Sequence, residues 1–119
     1  MAMNSITAEK GLEADAGVIW YHQVNRRTWI AMGAMLSNVI CTEDGLMVDI
    51  YLGTGTRKRR LVIKLNKWDL YDIEIGHVHP RTLDWIPEAQ TRDIYGDELD
   101  QNIRDLYDAI NSKTFSSQL

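Results

Sequence analysis

Residues 43–78, EDGLMVDIYLGTGTRKRRLVIKLNKWDLYDIEIGHV, decide the fold of this chain. Apolar and polar side chains alternate in three of its segments, and a period of two is typical of strands that bury one face. Short turn-forming segments separate them, beginning with Glu43-Asp44-Gly45, where we expect the glycine to supply a positive φ. The predicted strands are 46–52, 60–65 and 71–78, with reversals at 53–56 and 66–69. Consecutive strands with short connections predict an antiparallel meander.

A further strand is predicted before the meander. The segment Thr28-Trp29-Ile30-Ala31-Met32 combines β-branched and aromatic residues, which favour extended structure. Residues 35–41 could extend it or bridge to a short strand. After the meander, Pro80 and Pro87 introduce a segment rich in breakers, so residues 81–96 are predicted to form a loop.

Two amphipathic helices are predicted at the ends of the chain. The first begins near Ile6 or Glu13 and ends at Val24, on apolar residues spaced by three and four. The second follows residue 96, with Asp97 as its cap. Its expected buried stripe is Leu99, Ile103, Leu106, Tyr107 and Ile110, and its expected outer face carries Asp100, Asp105 and Asp108.

The expected architecture is an α+β domain. A four-stranded antiparallel meander sheet has its N- and C-terminal helices packed on one face, because the apolar side of a sheet needs a cover. The length of 119 residues suits a single domain over residues 1–119, with residues 1–5 expected to be flexible.

Composition restricts the class of protein. Apolar residues are 45% and charged residues 25% of the chain, close to the averages of soluble globular proteins. No apolar run approaches the roughly 18 residues that a membrane span needs. The first twenty residues contain acidic residues and lack the basic region followed by an apolar stretch that is typical of a secretory signal. Cys41 is the single cysteine, so an internal disulfide is excluded. We therefore expect a cytoplasmic protein without membrane contact.

The charges are segregated along the chain. The net charge is only -4, yet residues 57–67 hold six basic residues and no acid. Residues 93–108 hold six acidic residues and Arg104 as their one base. The candidate binding residues are Arg57, Lys58, Arg59 and Arg60 in the basic segment, and Asp97, Asp100, Asp105 and Asp108 in the acidic helix.

Each charged segment has two interpretations. The basic one, expected as a raised hairpin, could neutralise phosphates or dock on an acidic protein, and it could equally protect a sheet edge against aggregation. The acidic one could be a solvated face, or it could imitate the spaced phosphates of a nucleic acid and occupy a basic groove.

Catalytic and metal signals are weak. His77 and His79 lie two apart on a strand and would share a face, but two ligands do not make a site; they are kept as candidates beside the simpler interpretation of solvated histidines. The glycines Gly53 and Gly55 join two strands, unlike a phosphate loop, and no G-x-S-x-G motif is present. The sequence predicts a non-enzyme without cofactor.

Two blocks carry a resemblance to a known group of proteins. Residues 28–34, TWIAMGA, and 64–75, KLNKWDLYDIEI, resemble small, mostly uncharacterised proteins of bacteriophages and other mobile elements, over about residues 28–78. The resemblance implies a bacterial host cytoplasm. It also implies a binding protein that antagonises host defence, including inhibitors of CRISPR effector complexes, and it transfers no catalytic residue.

The expected function is therefore non-enzymatic binding. The partner would be a host protein or nucleoprotein complex, inhibited by protein contact in the manner of an anti-CRISPR. The alternative is a small nucleic-acid-binding module that uses the basic segment 57–67 directly.

Overall fold

The chain folds into an open antiparallel sheet with helices on one side. The computed structural model describes residues 14–53 and 57–116. Its elements are helices α1 (Ala14–Val18) and α2 (Arg26–Ala31), strands β1 (Ile40–Thr42), β2 (Gly45–Leu52), β3 (Arg57–Leu65), β4 (Tyr71–Val78) and β5 (Trp85–Ile94), and helix α3 (Leu99–Ser116). A π-helical segment, Ile19–Gln23, continues α1, and single 3-10 turns lie at Leu36–Asn38 and Gly96–Glu98.

The five strands are hydrogen-bonded in chain order, β1-β2-β3-β4-β5, each antiparallel to the next. This confirms the α+β class and the meander, and it corrects the number of strands from four to five. Within the part of the chain that the structure describes, no helix is long and apolar enough to cross a membrane.

The alternating pattern placed the core correctly. In the apolar parts of β2 to β4, alternate side chains are buried against α1, α2 and α3, whereas the non-glycine residues between them are at least partly exposed. The fully buried members include Leu46, Val48, Ile50, Leu52, Leu61, Ile63, Ile73 and Ile75. From α3 the same cluster receives Leu99, Ile103 and Ile110, with Leu106 and Tyr107 half-buried at its margin. All of the helical cover therefore lies on one face of the sheet.

The predicted first strand, residues 28–32, is wrong: residues 28–31 lie in α2, and Met32 is its C-cap. The Asn25 side chain accepts a hydrogen bond from the Arg27 N–H at 2.8 Å and so caps the helix. Trp29 is buried and stacks on Trp20, with ring centroids 4.3 Å apart, and its indole N–H donates to the Trp20 carbonyl at 3.0 Å. These contacts outweigh the weak preference of Thr, Trp and Ile for extended structure.

The predicted loop 81–96 is also corrected, because most of it forms β5. Pro87 lies at the outer edge of the sheet, where a missing N–H removes no ladder bond. A register shift opposite Ile75 and Gly76 leaves Glu88 as an extra residue, the pattern of a β-bulge. The proline made the segment look irregular in sequence. The proline and the bulge both protect an edge strand from pairing with another chain.

Glycine is required at the β1–β2 turn for a different reason than expected. Gly45 does not have a positive φ; in the described residues, the glycines that do are Gly33 and Gly53. A Cβ on Gly45 would lie 1.9 Å from the Ile63 carbonyl oxygen, so close backbone approach explains this glycine.

Some expectations concern parts of the chain outside the described residues. They are the flexibility of residues 1–5, the start of the N-terminal helix at Ile6 or Glu13, and the tip of the reversal at 54–56.

Candidate functional site

The acidic residues of the C-terminal segment divide into two groups. Asp97, Asp105 and Asp108 are exposed, and the described side chains form no ion pair with any of them. Asp105 accepts a hydrogen bond from Gln101 at 2.9 Å. Asp97 lies in the 3-10 turn before α3 and makes no capping hydrogen bond, which corrects its predicted role as the helix cap.

Asp100 does not belong to the outer face, contrary to the prediction. One oxygen of its carboxylate accepts hydrogen bonds from the Thr28 hydroxyl at 2.7 Å and the Asn25 N–H at 2.8 Å. The other accepts from Arg104 at 2.9 Å. Desolvation alone would raise the pKa of Asp100, but the hydrogen bonds from Thr28, Asn25 and Arg104 outweigh it, and the pKa is lowered. Asp100 therefore joins α3 to α2.

A groove of about 330 Å³ lies between α2 and α3. Its lining residues are Asn25, Arg27, Thr28, Ala31, Met32, Arg104, Tyr107 and Asp108. Asp108 brings an exposed carboxylate of α3 to this groove, and Ala31, Met32 and Tyr107 contribute apolar surface. On α2, outside the lining of the groove, Ile30 is also exposed. We call the three exposed aspartates, Asp97, Asp105 and Asp108, the acidic ridge; its member Asp108 borders this partly apolar groove.

Tyr107 fixes the groove to the sheet. Its hydroxyl donates a hydrogen bond to the Tyr51 carbonyl, and the Tyr51 N–H donates to the Met32 carbonyl at 2.8 Å. Burial, and next the charge of Asp108, raises the pKa of Tyr107, so its hydroxyl remains a donor at neutral pH. The side-chain oxygen of Asn111 accepts from the Gly53 N–H at 2.6 Å. Residues of α3 and the C-cap of α2 therefore form hydrogen bonds to the end of β2 that does not pair with β1.

The basic segment is part of β3 rather than a raised loop, which corrects its expected form. Arg57, Lys58, Arg59 and Arg60 are paired with β2 in register from Leu52 to Asp49. Successive strand residues point to opposite faces, so Lys58 and Arg60 lie on the uncovered face and Arg59 on the helical face.

Acidic neighbours offset part of this basic charge. Lys58 and Arg60 both approach Asp49, at 3.7 Å and 3.5 Å. Arg59 forms an ion pair with Glu88, and His77 Nδ1 lies 2.8 Å from the same Glu88 oxygen. Three strong cations therefore face two carboxylates, and the segment presents less positive charge than its sequence indicates.

The two candidate metal ligands have other partners. His77 is held by Glu88, whereas His79 Nδ1 accepts hydrogen bonds from the N–H groups of Arg81 at 3.1 Å and Thr82 at 3.3 Å. His79 thereby shapes the β4–β5 turn. Across residues 14–53 and 57–116, no three His, Cys, Asp or Glu side chains come together as a metal site.

Sequence reasoning missed the uncovered face of the sheet. A hollow of about 590 Å³ lies there, lined at its centre by Met47, Val62 and Lys64 and closed at one side by Trp85. The Trp85 indole N–H donates to Glu74 at 2.7 Å, across β4 and β5. The sequence pattern does not indicate this hollow, because Trp85 belongs to β5 and residues 81–96 are predicted to form a loop.

Comparison with known proteins gave no relative: no protein family, no curated protein and no solved structure matches this chain.

Proposed function

We propose that this chain is a non-enzymatic binding protein of a phage or mobile element, which inhibits a host defence nucleoprotein complex by protein contact, in the manner of an anti-CRISPR. The observation that carries the proposal is the acidic ridge, whose carboxylates are exposed and without ion pairs among the described side chains, beside the α2–α3 groove. The resemblance of residues 28–78 to mobile-element proteins supports the setting.

Charge complementarity indicates the kind of partner. Asp105 and Asp108 are three residues apart on α3 and so project from the same face of a rigid helix. A fixed row of negative charges suits a groove that evolved to hold phosphates, because Lys and Arg there meet carboxylates as they would meet a nucleic acid. The partner would therefore be a basic surface on a host nucleic-acid-handling protein.

The groove supplies the other component of a stable contact. Charged pairs at the rim of an interface mainly affect association, whereas buried apolar and aromatic anchors carry most of the affinity. Ala31 and the half-buried ring of Tyr107 provide such surface in the groove beside Asp108. A partner side chain inserted here would lie beside Asp108 of the acidic ridge and beside the guanidinium groups of Arg27 and Arg104.

The alternative, a nucleic-acid-binding module built on residues 57–67, receives less support. Asp49 and Glu88 already engage Lys58, Arg59 and Arg60. Binding to duplex or single-stranded DNA should consequently be weak, even at low salt. A mobility-shift assay that finds micromolar or tighter binding, lost as salt rises and in a variant with Arg59→Glu and Arg60→Glu, would favour the alternative.

The decisive experiment is calorimetry on a charge-reversal variant, after pull-down from a bacterial lysate has identified a partner. Asp105→Lys with Asp108→Lys should weaken binding by more than about 30-fold, since central charges cost on the order of 2 kcal/mol or more. The matched control reverses two exposed acids elsewhere, Glu43→Lys with Asp84→Lys, and changes the net charge by the same amount. The control should bind within about threefold of the wild type. Equal affinity of the ridge variant and the wild type would refute the proposed contact surface.

A further inference from the structure

Strands β3 and β4 part at one end of the sheet and leave a fork between them. Their ladder ends at the pair Arg60 and Gly76. Beyond it, β3 continues along β2 as far as Arg57, and β4 continues along β5 as far as Val78. A cavity of about 210 Å³ occupies the fork, lined by Asp49, Lys58, Arg59, Arg60, His77 and Val78.

The backbone of Lys58 is directed into this fork. In an antiparallel ladder, two directly opposed residues either bond to each other or both turn away. Tyr51, which is opposite Lys58, turns away from β3, since its N–H donates to Met32 and its carbonyl accepts from Tyr107. Lys58 therefore turns its N–H and carbonyl towards β4, where the described ladder gives it no partner.

Cationic groups reach the fork from both faces of the sheet. Lys58 and Arg60 come from the uncovered face, and Arg59 comes from the helical face, where Glu88 contacts both Arg59 and the His77 imidazole. Arg59 Nη1 donates to the Lys58 carbonyl at 3.0 Å, which holds the guanidinium against the opening. Lys58 and Arg60 share the single carboxylate of Asp49, so one positive charge at the fork is not compensated.

We propose that this fork binds one phosphate group. A phosphate accepts hydrogen bonds in tetrahedral directions, and here the donors surround an opening from two faces, whereas a planar carboxylate would use donors in one plane. The cavity is much larger than the ~10–15 Å³ that one water needs, so it has room for a phosphate with some of its hydration. The group could be free phosphate or the terminal phosphate of a nucleic acid. The site does not depend on the protein contact proposed above.

The test is an amide NMR titration of the full chain with inorganic phosphate, at constant ionic strength and pH. Saturable shifts at Lys58, Arg59, His77 and Val78, with a midpoint at or below about 1 mM, are expected. Lys58→Met, which keeps the stem of an exposed side chain and removes the charge, should weaken binding at least fivefold. Lys64→Met is the matched control, since Lys64 lies on the same strand and face but does not line the fork. Shifts that do not saturate, or equal losses in both variants, would overturn the site.

A second titration distinguishes the source of the phosphate. A short oligonucleotide with a 5′-phosphate that binds more tightly than inorganic phosphate, at the same amides, supports the site and assigns it to nucleic-acid ends. Equal affinity of the two ligands supports the site and assigns it to a free phosphate group. A 5′-hydroxyl oligonucleotide that binds at the same amides as tightly as the 5′-phosphate oligonucleotide would overturn the proposal.

Discussion

The Thr28 hydroxyl donates a 2.7 Å hydrogen bond to the Asp100 carboxylate across 72 residues of sequence. The same oxygen accepts from the N–H of Asn25, the residue that caps α2. The contact explains how a helix of six residues, too short to persist alone, is held in place. Thr28 is buried, and Asp100 is largely shielded from solvent, so loss of either partner should be felt by the whole fold.

We predict that Asp100→Ala lowers the free energy of unfolding by about 1.5–3 kcal/mol, because the buried Thr28 hydroxyl loses a charged acceptor. Asp108→Ala, on an exposed residue of the same helix, should change it by no more than about 0.5 kcal/mol. Chemical denaturation of both variants measures the difference. Similar values for the two would show that the Asp100 contacts contribute little.

The interaction of Asp100 should also appear in the pH dependence of stability. Its pKa is lowered in the folded state, so its contribution is complete above the unfolded value near 3.8 and is lost as the pH falls through the folded pKa. The difference in unfolding free energy between wild type and Asp100→Asn should thus be constant from pH 5 to 7 and shrink below about pH 4. A difference that grew on acidification would contradict the lowered pKa.

Ile63→Ala in β3 or Ile103→Ala in α3 should each lower the free energy of unfolding by roughly 2–5 kcal/mol, as large-to-small changes in a core do. Both side chains are completely buried between the sheet and its helical cover. Val62→Ala, next to Ile63 and half-exposed on the uncovered face, serves as the control and should cost less than half as much. Thermal melting of the three variants measures the difference. If Val62→Ala lowered the melting temperature most, the assignment of β3 residues to the two faces would be wrong.

Two glycines should respond differently to substitution by alanine. At Gly76, a Cβ would lie 2.4 Å from the Ile86 carbonyl oxygen and 2.9 Å from the Trp85 ring, so β4 and β5 must separate to accept it. At Gly53, a Cβ meets nothing within 4 Å, and the cost is the strain of a φ of 62°, about 1 kcal/mol. Gly76→Ala should therefore be clearly the more destabilising in urea denaturation. Equal midpoints would mean that the strands separate at almost no cost.

The sequence by itself determined the central meander, because an alternation of apolar and polar residues can bury one face only as strands. The same logic placed Ile103 and Ile110 on the buried stripe of α3, where a period near four residues is strong over a long helix. Local patterns of this length need no information from the rest of the chain.

Only the tertiary structure decided the identity of the shorter elements and the state of the charges. Residues 28–31 belong to a helix that is held by the stacking of Trp29 on Trp20 and the hydrogen bond from Thr28 to Asp100. Asp100 left the solvated face because its partners come from a distant segment. Part of the charge of the basic segment is offset by Asp49 on β2 and Glu88 on β5. Such pairings depend on strand register and helix packing, which bring together residues that are far apart in the sequence. The spacing of residues along the chain does not determine them.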